Sequence, residues 1–242
     1  MNSGWVAALA RCTKRAVAPN LDVSGTGLVV GLRTDDGSRN RPASSRVVSF
    51  VGGRRYASRA LSEATWPSFA RLVECNNGVF GGCWCMGFHA EGVGKDTTPQ
   101  LNRERKLQRV RAGTAHAALV FEQDVCVGWC QFGPPDELPR IKSRAAYERD
   151  RTRWPDWRIA CCYVGKGHRR QGVAHAALAA ALGLIGDLGG GVVEGYPESA
   201  GSVPAGFLYN GALSTYERLG FERDRRIGKH RWVVTKTVDA SP

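Results

Sequence analysis

Trp157–Glu198, WRIACCYVGKGHRRQGVAHAALAAALGLIGDLGGGVVEGYPE, is the stretch on which the fold turns. Trp157 to Val164 is a β-branched, aromatic and cysteine-rich run of strand length that stops at Gly165-Lys166-Gly167, where strand backbone breaks. After Gly172 the residues Leu178, Ala181, Leu182, Ile185 and Leu188 recur at spacings of three and four in an alanine-rich segment, which predicts an amphipathic helix ending near Gly189. Gly191 to Tyr196 is a second short apolar run. Strand, helix and strand in this order make a βαβ unit with parallel strands and a right-handed crossover.

The turn Gly165 to Ala174 places Lys166, His168, Arg169 and Arg170 with small residues at the start of that helix, where unpaired N–H groups and the helix dipole attract anions. A P-loop would need Gly-Lys-Ser/Thr at its end, and a dinucleotide fingerprint starting at Gly165 would need a glycine where Arg170 stands. Neither fits. An ordinary βαβ unit with a solvated basic turn is the bland alternative.

Arg169, Gly172 and Ala174 match Arg/Gln-x-x-Gly-x-Gly/Ala, and Tyr209-Asn-Gly-Ala-Leu-Ser-Thr-Tyr216-Glu-Arg-Leu-Gly-Phe221 follows. On these two blocks the chain resembles the GCN5-related N-acetyltransferases (GNAT). The resemblance implies an α/β (α+β) three-layer fold. It would have a mixed, mostly antiparallel central sheet, a parallel βαβ cofactor unit, and helices on both faces. It covers residues 53–238, leaving 1–52 as a poorly ordered basic extension and 239–242 as a tail. Gly81-Gly82-Cys83-Trp84-Cys85-Met86, with Glu194 to Pro197, also resembles segments of a bacterial branch of the family.

The resemblance implies acetyl-CoA as co-substrate and transfer of its acetyl group to a primary amine of a small molecule or peptide by direct attack. Backbone groups of Cys162, Tyr163 and Val164 would pair with the pantetheine, one N–H steadying the oxyanion. Arg169, Arg170, Gln171, Gly172, Val173, Ala174 and His175 would hold the pyrophosphate. A free alkylamine has a pKa near 10.4, so only about one molecule in a thousand is nucleophilic at neutral pH, and a carboxylate would help. Glu194 is the candidate base, or else it orients the substrate cation or ties a loop. Tyr216 stands where the family's general acid stands, and would look the same as a core aromatic. Asn210 is one residue closer to Tyr216 than in the better-known members, which places its cofactor contact in doubt. An acetyl-CoA-binding regulatory module without turnover and an antibiotic- or O-directed acyltransferase on this fold are the competing functions.

The 242 residues carry a net charge of +12, of which Met1 to Ala60, with 10 Lys or Arg against 3 acids, hold +7. No helix-turn-helix, zinc-finger or RNA-binding fingerprint accompanies this charge, so no specific nucleic-acid partner is expected. Apolar runs are too short for a membrane span and the start of the chain does not read as an export signal. The expected location is cytoplasmic, with the 8 cysteines reduced; Met1 to Leu21, basic and free of acids, leaves an organellar presequence open. A homodimer is compatible with the sequence.

Elsewhere, Arg55 to Arg59 reads as a strand and Ser62-Thr65-Trp66-Pro67 as a helix start with Phe69, Leu72 and Val73 inward. In a strand over Gly81–His89, Cys83 and Cys85 would share one face. As zinc ligands they would join Cys75 and His89, but Cys-x-Cys is not a usual zinc spacing, and no metal is expected. They would instead pack beneath a sheet or line an acceptor pocket. Thr97 to Ala112 reads as a charged helix with solvent-facing arginines. Ala117–Glu122 and Val125–Phe132 form a hairpin, Pro134 to Asp156 a long insertion, and Glu222–Arg226 with Arg231–Thr237 a closing hairpin.

Overall fold

The computed structural model describes residues 47–51, 53–199 and 208–242; most of the extension read above lies outside them. Ser44–Pro242 make one compact unit. Its centre is an eight-stranded sheet in the order β1-β2-β3-β4-β5-β6-β8-β7, built from β1 Val47–Val51, β2 Arg54–Ala60, β3 His116–Glu122, β4 Val125–Gly133, β5 Trp157–Val164, β6 Gly191–Gly195, β7 Glu222–Arg226 and β8 Trp232–Val238. The β5/β6 pair is parallel and the other pairs are antiparallel. The expected fold class is thus observed, with one correction. β1 pairs with β2 along its whole length, so the folded unit begins before residue 53. Val47-Val48-Ser49-Phe50-Val51 is a β-branched and aromatic run too short to show a period, and an antiparallel partner supplies its order.

The helices are α1 Trp66–Glu74, α2 Pro99–Arg111, α3 Arg144–Arg149, α4 Val173–Asp187 and α5 Leu213–Glu217. α4 covers one face of the sheet with Ala176, Ala177, Leu178, Ala181 and Ile185, which meet Ala118 and Val120 of β3, Cys130 of β4 and Ile159 of β5. Small residues let helix and sheet approach closely. Gly128 shows how closely, because a Cβ there would lie 2.7 Å from the Tyr163 carbonyl oxygen and 2.7 Å from Val173 Cγ1. α4 ends in a Schellman motif: the Gly190 N–H bonds the Ile185 carbonyl and the Gly189 N–H that of Gly186, with Gly189 at φ +107°. Leu188, expected on the apolar face, sits past the last turn and is exposed.

The other face carries α1, the turns of 75–98, and α2. Alternate residues of the same strands, Ala117, Leu119 and Phe121 of β3 and Trp129 of β4, pack there against Trp66, Phe69, Val73, Trp84 and Met86. Trp129 stacks on Tyr163 at 4.6 Å and meets Phe69 edge-on at 5.0 Å. Gly81–His89 is not a strand. It runs through turn hydrogen bonds such as Met86 N–H to Cys83 carbonyl, 2.8 Å, with Trp84 and Cys85 at φ +47° and +57°. Cys85 is therefore buried under Trp129, whose Nε1 donates to its sulfur at 3.2 Å, while Cys83 stays partly exposed. Cys75 is disulfide-bonded, against the expectation of reduced thiols; the other cysteines among the described residues are free.

α2 departs from expectation too. Thr98 Oγ1 caps it by accepting from Leu101 N–H, and its buried stripe is Asn102, Lys106 and Val110. Arg103, Arg105 and Arg109 are half-buried beside this stripe rather than free in solvent.

Candidate active site

Two local features open a cleft in the middle of the sheet. The β4/β5 register runs Gln131↔Cys161 and then Phe132↔Ile159, leaving Ala160 as an extra residue in β5. Such a bulge bends its strand and increases the local twist. β6 pairs with β5 only from Trp157 to Ile159, so the two parallel strands part at the bulge, and among the described residues no strand lies beside β5 on that side from Ala160 to Val164. The 208–211 turn fills part of the gap. Asn210 Nδ2 donates to the Ala160 carbonyl and the Cys162 N–H donates to the Tyr209 carbonyl, both at 2.6 Å.

A cavity of about 320 Å³ remains, walled by Cys162, Tyr163 and Val164 of β5, Arg169, Ala174, and the rings of Phe80 and Tyr209. Phe80 packs edge-on against Tyr209 at 5.7 Å and Tyr163 at 6.4 Å, and Lys142 Nζ lies 5.8 Å from the Tyr209 ring centre. Val79 and Phe80 are held at φ +55° and +44°, a costly conformation for such side chains. Sequence reading missed Phe80 because a lone aromatic in a turn-rich segment carries no periodic signal. Tyr209 was inside a recognised block, and Lys142 had no signal at all.

The cavity leads to the first turn of α4. Gly172 is the N-cap at φ +87°, no acid lies in the first turn, and among the described residues no side chain caps it. Its N–H groups are left for an anion. His175 Nδ1 is buried with no hydrogen-bond partner among the described residues, and burial together with Arg218 pushes its pKa down. Arg169 and Arg170 are exposed at the rim, Arg170 at φ +59°. Gln171 braces the loop internally, its Nε2 donating to the Gly167 carbonyl while its own carbonyl accepts from Tyr56 Oη at 2.8 Å. Val173 is buried in the core under α4. This arrangement suits the diphosphate end of a coenzyme A thioester, with the β5 edge suited to its amide arm.

The two residues singled out for proton transfer are not part of this cavity's wall, though Tyr216 lies directly behind Gly211. Glu194 is 2 % exposed and does not line this cavity. Its Oε2 accepts from Tyr147 Oη and from Tyr196 Oη, both at 2.9 Å, and Arg158 Nη2 reaches Tyr147 Oη at 3.4 Å. Burial, then the nearby Glu194, raises the pKa of both tyrosines, so both hydroxyls remain donors. Tyr216 is fully buried across β6; a Cβ on Gly195 would lie 2.2 Å from its Cε1. Its hydroxyl donates to the Asn210 carbonyl at 2.9 Å, and burial followed by the Cys162 and Cys130 sulfurs pushes its pKa well up.

Behind the aromatic wall lies a polar cluster that sequence reading did not foresee. His89 Nε2 is 3.0 Å from Lys106 Nζ and 2.9 Å from Gln131 Nε2, and Nδ1 is 3.1 Å from the Glu137 carbonyl. With two donors on Nε2, the ring proton sits on Nδ1 and the ring is neutral. Burial, then Lys106 and Arg109, lowers the His89 pKa to about 2. Among the described residues no three His, Cys, Asp or Glu side chains gather as metal ligands.

A model of the acetyltransferase (GNAT) family matches residues 84–204, half of the chain, and the chain belongs to that family. Acetyl-CoA is accordingly its acyl donor, and the chain is an acetyltransferase. Similar solved structures include the ribosomal-protein-S18-alanine N-acetyltransferase from Escherichia coli, 9% identical over 77% of this chain and 96% of that one at a TM-score of 0.43. Another is an acetyltransferase from Salmonella typhimurium with its cofactor acetyl-CoA, 14% identical over 76% of this chain and 94% of that one at 0.45. An N-acetyltransferase from Staphylococcus aureus Mu50 is 11% identical over 76% and 98% at 0.44. No curated protein matches the chain. Among the described residues no helix is long and apolar enough to cross a membrane.

Proposed function

We propose that the chain moves an acetyl group from acetyl-CoA to an amine of low basicity at the cleft between β5 and β6. The observation that carries this is the continuity of the cavity from the unpaired β5 edge to the uncapped start of α4. The donor supplies an activated thioester; the chain's own residues bind, orient and exclude water. Gly172 to His175 present backbone N–H groups to the diphosphate, with Arg169 of the cavity wall as a direct charge-assisted donor and Arg170 as screening-sensitive charge. Cys162 N–H is already satisfied by Tyr209, so Val164 is the β5 residue left to pair with the amide arm, and Tyr163 closes the aromatic side.

The acceptor class follows from the lining. Among the described residues the cavity wall holds no carboxylate, and Lys142 stands over its Tyr209 side. Such a wall offers nothing to an ammonium ion and suits an amine that is neutral on arrival. An α-amino group, with a pKa near 8, is about one-tenth free base at neutral pH, whereas a lysine side chain is about a thousandth. Glu194 Oε2 and the Tyr216 hydroxyl are engaged internally, so we assign both residues positioning roles: Glu194 pins the 134–156 insertion through Tyr147, and Tyr216 supports the 208–211 turn.

Coenzyme A release with peptide α-amines, arylalkylamines, lysine side chains and aminoglycosides, measured alongside acetyl-CoA binding, tests this. Turnover is expected with peptide α-amines at neutral pH, and much less with the alkylamines, whose pKa near 10 leaves only about a thousandth as free base. Turnover confined to polycationic acceptors would overturn the acceptor class, and retention of acetyl-CoA binding in a folded Gly172→Val variant would overturn the cleft as the donor site.

A further inference from the structure

Cys161 and Cys162 are neighbours in β5 and point to opposite faces of the sheet. Cys162 points toward α4 and meets Cys130 of β4, sulfur to sulfur at 3.4 Å. The two are direct register partners. Because the Cys162 N–H is turned away from β4, to Tyr209, theirs is a non-hydrogen-bonded antiparallel pair, the kind in which Cα atoms are about 4.5 Å apart and side chains are closest. That separation falls inside the roughly 4.4 to 6.8 Å that a disulfide spans. The pair differs sharply in access. Cys130 is fully buried, while Cys162 is partly exposed and forms part of the cleft wall.

We infer that Cys130 and Cys162 form a clearing pair, in which Cys130 expels thiol adducts that form on Cys162 inside the cofactor cleft. The reagent class is a small-molecule disulfide, and the relevant member, which rests on the cleft being the acetyl-CoA site, is coenzyme A disulfide. An enzyme whose product is a thiol released beside a wall cysteine is exposed to this chemistry. In the first step the Cys162 thiolate attacks one sulfur of the disulfide; its S–S bond breaks, one coenzyme A leaves as thiol, and a mixed disulfide plugs the cleft. In the second step Cys130 attacks Cys162 Sγ, the mixed disulfide breaks, and the second coenzyme A leaves as thiol. The two protein thiols lose two electrons and two protons, and the reagent takes up both. The cross-strand disulfide left behind lies between β4 and β5, out of the cleft, and any dithiol reductant restores the pair.

Burial pushes the Cys130 thiol well up in pKa. A high pKa leaves little thiolate, so the second step rests on the 3.4 Å approach of the two sulfurs, while burial keeps free reagents from Cys130. Cys126 is buried with its pKa pushed up to about 12 and its sulfur on the Gly128 carbonyl, and has no comparable thiol neighbour among the described residues.

The test is to expose the full chain, with these thiols reduced, to coenzyme A disulfide and map the cysteine peptides by mass spectrometry without reduction. The wild type is expected to carry a Cys130–Cys162 link and no coenzyme A on Cys162. Cys130→Ser, with Cys130→Ala as a second variant should the hydroxyl disturb the core, is expected to retain coenzyme A on Cys162 and to lose acetyl-CoA binding at least tenfold until reduced. Cys162→Ser should leave Cys130 unmodified. Coenzyme A persisting on Cys162 of the wild type, or absence of the link while other cysteines react, overturns the proposal. Glutathione disulfide separates it from the reading of the cleft. Should glutathione disulfide react as fast as coenzyme A disulfide and acetyl-CoA give no protection, the cleft does not recognise coenzyme A, yet the link itself still confirms the pair.

Discussion

The two faces of the sheet are filled in different ways. On the α4 face an alanine-rich helix lies against small and apolar strand residues such as Ala118, Val120, Cys130 and Ile159, with Tyr56, Phe132 and Tyr216 among the larger side chains of the cluster. On the opposite face an aromatic stack of Trp66, Phe69, Trp84, Trp129 and Tyr163 surrounds a buried lysine, histidine, asparagine and glutamine. The first face holds the cofactor helix in place by close approach. The second holds an irregular segment in place by large rings and by buried hydrogen bonds such as Asn102 Nδ2 to the Gly82 carbonyl and Gln131 Nε2 to the Cys85 carbonyl, and so can present Phe80 at the cleft from a strained turn.

The contrast predicts where the molecule breaks. Trp129 is fully buried, stacks on Tyr163, and joins β4 to Cys85. Trp129→Ala should cost about 3 to 5 kcal/mol, the range for large aromatic truncations. By contrast Ala177→Gly on the α4 face should cost about 1 kcal/mol, mostly helix propensity. Urea unfolding of both variants checks this, and equal losses would mean that the faces do not differ in how they are held.

The polar part of the second face makes stability depend on pH. His89 is neutral in the folded chain, with a pKa lowered from 6.5 to about 2, so between those values the unfolded chain binds the proton and the folded chain does not. The His89 contribution to stability is complete above about pH 6.5 and is lost as pH is lowered, by up to about 1.4 kcal/mol per pH unit for one proton. Lys106, its pKa lowered by burial, acts in the same direction. His89→Gln should flatten the melting temperature between pH 6.5 and 4. A slope unchanged in that variant would place the acid sensitivity elsewhere.

These two faces were not equally readable in the sequence. Leu178, Ala181, Leu182 and Ile185 announce α4 because a helix on a sheet needs apolar residues every three or four positions, and the turn before it carries a recognisable block. Asn102, Lys106 and Val110 form an equally regular stripe, but its first two members are polar, so periodicity of hydrophobicity passes over it. The 81–89 segment misled for a related reason. Alternation of Cys83, Trp84 and Cys85 looks like a strand, whereas the glycines around it and the left-handed residues within it make turns. Glu194 was placed on the correct strand; which face it served depended on Tyr147, forty-seven residues away, whose partner no local pattern could name.

Tyr216 offers a smaller test. Loss of its hydroxyl removes one buried bond, to the Asn210 carbonyl, so Tyr216→Phe should cost about 1 kcal/mol of stability and change the acetyl-transfer rate by less than about fivefold, with the pH–rate profile unmoved. A general acid would lose about a hundredfold or more together with the alkaline limb of that profile. The rate and the profile together separate a residue that supports the 208–211 turn from one that delivers a proton.

The smallest expected effect lies at the mouth of the cleft, where Arg169 and Arg170 are adjacent in sequence but differ in placement. Arg169 forms part of the cavity wall, while Arg170 is exposed, held at φ +59°, and does not line it. A charge-assisted hydrogen bond lost at the wall is worth about 1.5 to 3 kcal/mol, so Arg169→Ala should weaken acetyl-CoA binding by roughly tenfold to a hundredfold at low salt. Arg170 acts through the field alone, within a Debye length of about 10 Å at 0.1 M salt, and Arg170→Ala should cost about threefold or less. Its effect should vanish at 1 M salt, where the screening length is about 3 Å, whereas most of the Arg169 effect should survive. Titration of acetyl-CoA into both variants at the two ionic strengths gives four affinities. Should the Arg170 loss persist at high salt and the Arg169 loss disappear, the rim and wall assignments would exchange places, and the diphosphate would have to sit on the outer side of the turn.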